Sequence, residues 1–163
     1  MPDGQAAYET QWTLWPCVLA HTNLVMHAAG WLEGGLTASF EKFMLDLESL
    51  AMFQHFLGGF AIDAETLALD MIAEVGPGGH HFGTPHTQAR FSTEFYQTFL
   101  SDRQGYDTWL AAGGLDAAQR ANALWKDLLG QYEPPPLEAE VREALDDFVA
   151  RRSRELEGKN LYE

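Results

Sequence analysis

Only one cysteine, Cys17, occurs in the 163 residues, so no internal disulfide can form and a reducing compartment suits the chain. With Trp15, Val18 and Leu19 beside it and no basic residue near, a plain buried thiol is expected there. Positive charge is scarce as well. Ten Lys and Arg against twenty-four Asp and Glu leave a formal net charge of -14. That balance repels phosphate backbones and anionic lipid, which removes nucleic acid and the membrane surface from the expected partners. Long hydrophobic runs are missing too, because His21, Asn23, His27 and Glu33 interrupt the one stretch approaching bilayer-spanning length. Met1-Pro2-Asp3-Gly4 has neither the basic nor the apolar region of a secretion signal. The cytoplasm is therefore the expected location. There is no internal repeat, and no low-complexity segment beyond Pro134-Pro135-Pro136.

What the chain does have is 46% hydrophobic and 21% charged residues, the bulk and composition of one ordered globular domain. Asn23 to His27, a short apolar run ending in small residues, reads as a buried strand. It is the only convincing strand. From Phe40 the apolar positions Phe43, Met44, Leu47, Leu50, Ala51 and Leu57 recur at three and four residues until Gly58-Gly59, which predicts a helix of about four or five turns. Asp63 is placed to cap a second helix, with Ile62 stapling onto Leu67 and Gly76-Pro77 ending it. Phe91, Phe95 and Phe99 predict a third helix, and Tyr106 to Leu110 a short fourth. Asp116 with Gln119 is a capping-box signature, followed by a face of Ala121, Leu124, Trp125, Leu128 and Tyr132. The last helix carries Glu138, Glu140 and Glu143 early and Arg151, Arg152 and Arg154 late, with Val141, Leu145, Phe148 and Val149 facing inward. One strand among five or six helices leaves that strand without neighbours to satisfy its backbone. A missing upstream part of the fold is the expectation.

Two glycine-rich loops carry the chemistry. The first, Ala28 to Leu36, sets Trp31 and Glu33 on backbone softened by Gly30, Gly34 and Gly35. The second, Gly76 to Thr87, combines Gly76, Gly78, Gly79 and Gly83 with His80, His81, Thr84 and His86. The two together are expected to form one site. Arg90, Lys42 and Glu41 read as ordinary helix-face ion pairs, and His21 and His55 as core or surface residues.

The segment Pro2 to Glu9, the loop His27 to Thr37 and the later Glu74 to His80 resemble, in order and spacing, the C-terminal third of the corrinoid-dependent trimethylamine methyltransferase family. The resemblance covers nearly the whole chain. It implies an α/β fold, the C-terminal part of a TIM (β/α)8 barrel, helix-rich and with additional C-terminal helices. Residues 1–133 would be the last barrel units, incomplete because a barrel takes about 250 residues, and residues 134–163 a C-terminal helix and tail. Family members acting on trimethylamine carry pyrrolysine just upstream of the segment matching Pro2-Asp3, so Met1 falls immediately after that place. An amber codon splitting one gene, or a decayed or trimmed gene, would both place it there. The loop Trp31-Leu32-Glu33-Gly34-Gly35 is more similar to members without pyrrolysine, some of which demethylate glycine betaine.

In such an enzyme a methyl group leaves a tertiary or quaternary amine toward Co(I) of a cobalamin carried by a separate corrinoid protein, so the enzyme mainly positions and electrostatically shapes its substrate. A quaternary ammonium offers no hydrogen-bond donor, and the available handles are aromatic faces and carboxylates. The resemblance thus implies Glu33 as counter-charge, His27 as orienting donor, Trp31 against the cation, and Gly34 and Gly35 beside the substrate. The alternatives are a satisfied core His27, a packing Trp31 and a helix-entry Glu33. For the second loop the preferred reading is the mouth where the corrinoid protein docks, through Gly76, Gly78, Gly79, His80, His81, Thr84 and His86. A zinc site built from the three histidines and a plain structural turn remain the other two readings, with no directly bound metal expected. The upstream half of the barrel and further copies of the chain are expected partners. A non-catalytic remnant or helical association module is the alternative function.

Overall fold

The computed structural model describes residues 1–160 and is helix-rich, with eight α-helices and one two-stranded hairpin among those residues. Two compact units are present, Met1–Leu129 and a second from Gly130 onward.

In the first unit, α1 (Gly4–Leu19) starts where the Asp3 carboxylate accepts the Ala6 N–H at 3.1 Å, which satisfies one of the open donors of the first turn. Pro16 lies inside the helix, where it removes one ladder bond, and the chain leaves at Ala20. The expected strand Asn23 to His27 is not formed. Its residues lie in turns with Leu24 and Met26 exposed, because no neighbouring strand is there to take their backbone groups. The strands instead fall later, β1 (Trp31–Leu32) pairing antiparallel with β2 (Thr37–Ala38) in the register Trp31 to Ala38 and Leu32 to Thr37. A single 3-10 turn, Glu33–Gly35, joins them.

Helix α2 (Phe40–Leu57) begins at Ser39, whose hydroxyl accepts the Lys42 N–H at 3.2 Å, and stops at Gly58 as the periodicity predicts. Trp15 of α1 meets Phe53 and Phe56 of α2 edge-on, with ring centroids 4.7 and 5.8 Å away. Asp63 forms a reciprocal capping box with Thr66 at the head of α3 (Ala64–Leu67), but Ala68 turns left-handed (φ 51°) and a new helix, α4 (Leu69–Val75), follows. Only α5 (Pro85–Arg90) occupies the next stretch, and the expected helix through Phe91, Phe95 and Phe99 is replaced by turns with all three rings exposed. Over so short a stretch, equal spacing on a face adds little to helix stability when nothing covers that face.

Helices α6 (Tyr106–Ala111) and α7 (Ala117–Gly130) follow the sequence reading, and Asp116 and Gln119 exchange bonds of 2.8 and 2.9 Å as a capping box. The central cluster is small: Met44, Leu100 and Ala121, flanked by Leu45, Leu47, Leu124 and Trp125. Cys17 is half-buried, its thiol turned to the Thr13 carbonyl at 3.4 Å, and is less enclosed than expected. The second unit contains α8 (Ala139–Leu156), whose face of Val141, Leu145, Phe148 and Val149 is exposed instead of facing a core.

Candidate functional site

A polar cleft of about 390 Å³ lies among α1, the His27 to Trp31 segment, the hairpin and α2. His27, Trp31, Glu33, Gly34 and Gly35, all singled out in the sequence, line it together with Glu9, Thr10, Cys17, Lys42 and Asp46. The backbone explains how so short a loop presents several side chains. His27 (φ 58°), Gly30 (85°), Glu33 (53°), Gly34 (63°) and Gly35 (92°) all adopt left-handed conformations, so the chain reverses repeatedly in nine residues. Only at Gly30 does space add a second constraint, since a Cβ there would lie 3.3 Å from both Cβ and Cδ2 of Phe43.

The His27 and Trp31 rings meet edge to face, centroids 5.3 Å apart at 83°. Glu33 is exposed, and its Oε2 accepts the Thr37 hydroxyl at 2.8 Å, which ties the carboxylate across the hairpin. His27, Trp31, Gly34 and Gly35 also border a neighbouring, partly open depression of about 440 Å³. Trp31 further borders a third cleft, almost wholly apolar and about 370 Å³, with Phe40, Phe43 and Trp125. The Trp31 hairpin therefore stands where three hollows meet.

The second loop does not join this site. None of the residues from Gly76 to Thr87 lines the polar cleft. Gly76 and Gly78 supply left-handed turns (φ 68° and 78°), and Gly79 lies so close to Val75 that a Cβ would fall 2.6 Å from its Cγ1. The His80 ring tilts onto Phe82, the His81 carbonyl accepts the Thr84 N–H at 3.0 Å, and Thr84 caps α5. His86 donates its Nε2–H to the Glu65 carbonyl at 2.9 Å, and Arg90 pairs with Glu65 at 2.6 Å. These bonds fasten the loop to α3. Among the described residues no three His, Cys, Asp or Glu side chains converge as a metal site would require, so the zinc reading has no geometry behind it.

Three charged residues of α2 matter more than their sequence suggests. Lys42, Asp46 and Glu48 are almost fully buried. Lys42 is not on a solvated face. Its ammonium reaches both Asp46 oxygens at 2.5 and 2.6 Å and the Thr10 hydroxyl at 2.6 Å, while Asp46 accepts the Gly30 N–H at 2.9 Å. Glu48 accepts the N–H groups of Phe99, Leu100 and Ser101 at 3.0, 3.1 and 2.7 Å and the Ser101 hydroxyl. Glu41, by contrast, makes no ion pair among the described residues. It accepts from Asn122 at 2.7 Å and the Trp125 indole at 2.8 Å, and these bonds hold its carboxyl down to about 2. The i,i+4 spacing of Lys42 and Asp46 is present in the sequence, but nothing in it signals their burial. Arg90 alone of the three expected pairs is an exposed-partner salt bridge, with Glu65 and, at 3.6 Å, Glu94.

The chain is thus helix-rich with few strands, and Trp31 and Glu33 of its short hairpin, with His27 just before it, line a polar cleft. It belongs to the trimethylamine methyltransferase (MTTB) family, whose family model matches residues 1–157. It is 42% identical over 154 residues to a glycine betaine methyltransferase of Desulfitobacterium hafniense (strain Y51), covering 94% of this chain and 32% of that protein. It is 36% identical over 149 residues to a trimethylamine methyltransferase of Desulfitobacterium hafniense (strain DSM 10664 / DCB-2), covering 91% and 30%. A trimethylamine methyltransferase of Methanosarcina mazei is 30% identical over 155 residues, covering 94% and 31%. The chain spans about a third of the length of the curated relatives it matches. No helix among the described residues is long and apolar enough to cross a membrane.

Proposed function

We propose that this chain supplies part of the amine site of an enzyme that transfers a methyl group from a tertiary or quaternary methylamine, of the trimethylamine or glycine betaine type, to a corrinoid protein. The observation that carries this reading is the gathering of Trp31, His27 and Glu33 around one cleft next to a second, open depression. Such a group can hold a methylated ammonium against an aromatic face with a carboxylate nearby, each ring contributing about 0.5 to 2 kcal/mol depending on desolvation. The adjoining depression leaves a side open for the acceptor. A cobalamin carried by the corrinoid protein would supply the nucleophile that takes the methyl group, and the amine nitrogen would keep the C–N bonding pair. On this chain Trp31 and Glu33 fix the ammonium, His27 orients Trp31 through their edge-to-face contact, and Gly34 and Gly35 keep side chains out of the transfer path.

The remaining parts of this reading concern the whole enzyme. Residues 1–133 act as the last units of a (β/α)8 barrel and residues 134–163 as a terminal helix and tail. The rest of the barrel comes from further sequence, the enzyme works in the cytoplasm, and the corrinoid protein docks near the loop from Gly76 to His86. The exposed Phe40, Phe43, Leu128 and Leu129 favour association as well, with the rest of the barrel or with further copies of the chain. They also support the second reading, a non-catalytic association module.

Replacing Glu33 with Gln in a full-length assembly containing this segment tests the proposal. We expect methyl transfer to fall by about tenfold or more. Unchanged turnover removes Glu33 from the site.

A further inference from the structure

The most enclosed charges of the first unit lie directly beneath the hairpin. Lys42 and Asp46 have side chains only 3% exposed, and they form a chain of contacts from Thr10 of α1, through the ion pair on α2, to the Gly30 N–H. The other polar group of Gly30, its carbonyl, accepts the Ser39 N–H at 2.9 Å. Gly30 thus has both backbone polar groups bonded, at a φ of +85° and with Phe43 packed where a Cβ would lie.

Resting on the reading of the cleft as the amine site, we propose that the Lys42–Asp46 pair is a positioning unit which fixes the Gly30 peptide and so aims Trp31 and the Glu33 turn at a methylated ammonium. Stability alone does not account for such a pair, because well-packed apolar residues of similar volume commonly replace a buried ion pair without loss. An apolar pair cannot accept the Gly30 N–H. Charge balance matters as well, since among the described residues Lys42 is the only Lys or Arg lining the cleft and Asp46 neutralises it. Glu9 and Glu33 are then left to set the sign that a cation meets.

The test uses the full chain and the double substitution Lys42→Met with Asp46→Leu, which removes the Gly30 acceptor and keeps the interior apolar and filled. Asp46→Asn, which leaves the lysine charge unbalanced, is the second variant. Nuclear magnetic resonance follows Gly30 amide exchange relative to the α2 amides, together with the His27 and Trp31 ring resonances, before and after adding tetramethylammonium. We expect Gly30 to exchange about tenfold faster in the double variant while the α2 amides hold. The His27 and Trp31 signals move, and the tetramethylammonium response weakens severalfold, most of all in Asp46→Asn. Unchanged Gly30 exchange and unchanged ring signals in both variants overturn the proposal. If Gly30 responds as expected but the unsubstituted chain shows no response to tetramethylammonium, the amine reading fails and the hold on the hairpin stands.

Discussion

The indole of Trp125 donates to Glu41 Oε1 at 2.8 Å, joining α7 to the first turn of α2 beside the apolar cleft, where the Trp125 ring stacks on Phe40 at 4.8 Å. With Asn122 donating to the same oxygen at 2.7 Å, the Glu41 carboxyl is held at about 2 against its ordinary 4.5. A pKa lowered in the folded state contributes stability that is complete above pH 4.5 and disappears as pH falls toward 2. Urea unfolding at pH 6 and pH 3 is expected to show this loss. In Glu41→Gln the loss between those pH values shrinks by about 1 kcal/mol, after allowing for solvent screening of a half-buried group. An identical pH dependence in the two proteins contradicts the assignment.

Glu48 gathers three consecutive backbone N–H groups, at Phe99, Leu100 and Ser101, across some fifty positions of sequence. Its replacement by Ala leaves buried donors without acceptors, and the expected cost is about 3 kcal/mol or more. Thermal unfolding measures the loss, and amide exchange at residues 99–101 is expected to rise before that of α2. The Tyr96 phenol, raised chiefly by burial and secondly by the Glu48 charge, titrates lower in this variant but stays above its ordinary value.

Gly30 and Gly34 both adopt positive φ, yet only Gly30 is crowded. Gly34→Ala is expected to cost about 1 kcal/mol from the left-handed backbone alone. Gly30→Ala adds the clash with Phe43, so it costs about 1 kcal/mol more and shifts the Trp31 environment. Equal melting temperatures for the two variants contradict the close packing of Gly30.

Lys42→Met alone strands a buried Asp46 carboxylate and is expected to destabilise the chain by about 3 to 5 kcal/mol. The double variant with Asp46→Leu recovers most of that loss. A single variant as stable as the parent shows that the pair is not buried in solution.

Sequence periodicity located α2, α6, α7 and α8; α2 and α7 also start on local caps, with Ser39 and Asp116 bonding their own first turns, whereas α6 and α8 have no side-chain cap. It missed α1, where Pro16 interrupts the pattern and exposed Tyr8 and Trp12 blur the buried face of Ala6 and Leu14. The strand at Asn23 to His27 and the helix through Phe95 failed for a shared reason: each is a short apolar stretch with no partner surface to cover it. The composition of the hairpin loop made Trp31, His27 and Glu33 legible as neighbours. The second loop looked alike in composition, but its bonds to Glu65 run to a different helix. Lys42, Asp46 and Glu48 were illegible because a charged residue on an amphipathic helix faces water by default, and only the packing of α1 and the 99–101 turn against α2 encloses them.

The most direct measurement is a titration of the chain with tetramethylammonium and, separately, with neopentyl alcohol, an uncharged mimic of similar bulk, following the Trp31 indole resonance. The account predicts a saturable Trp31 shift for the cation, little response to the alcohol, and loss of the cation response in Glu33→Gln. A Trp31 signal that ignores the cation, or answers the alcohol equally, contradicts it.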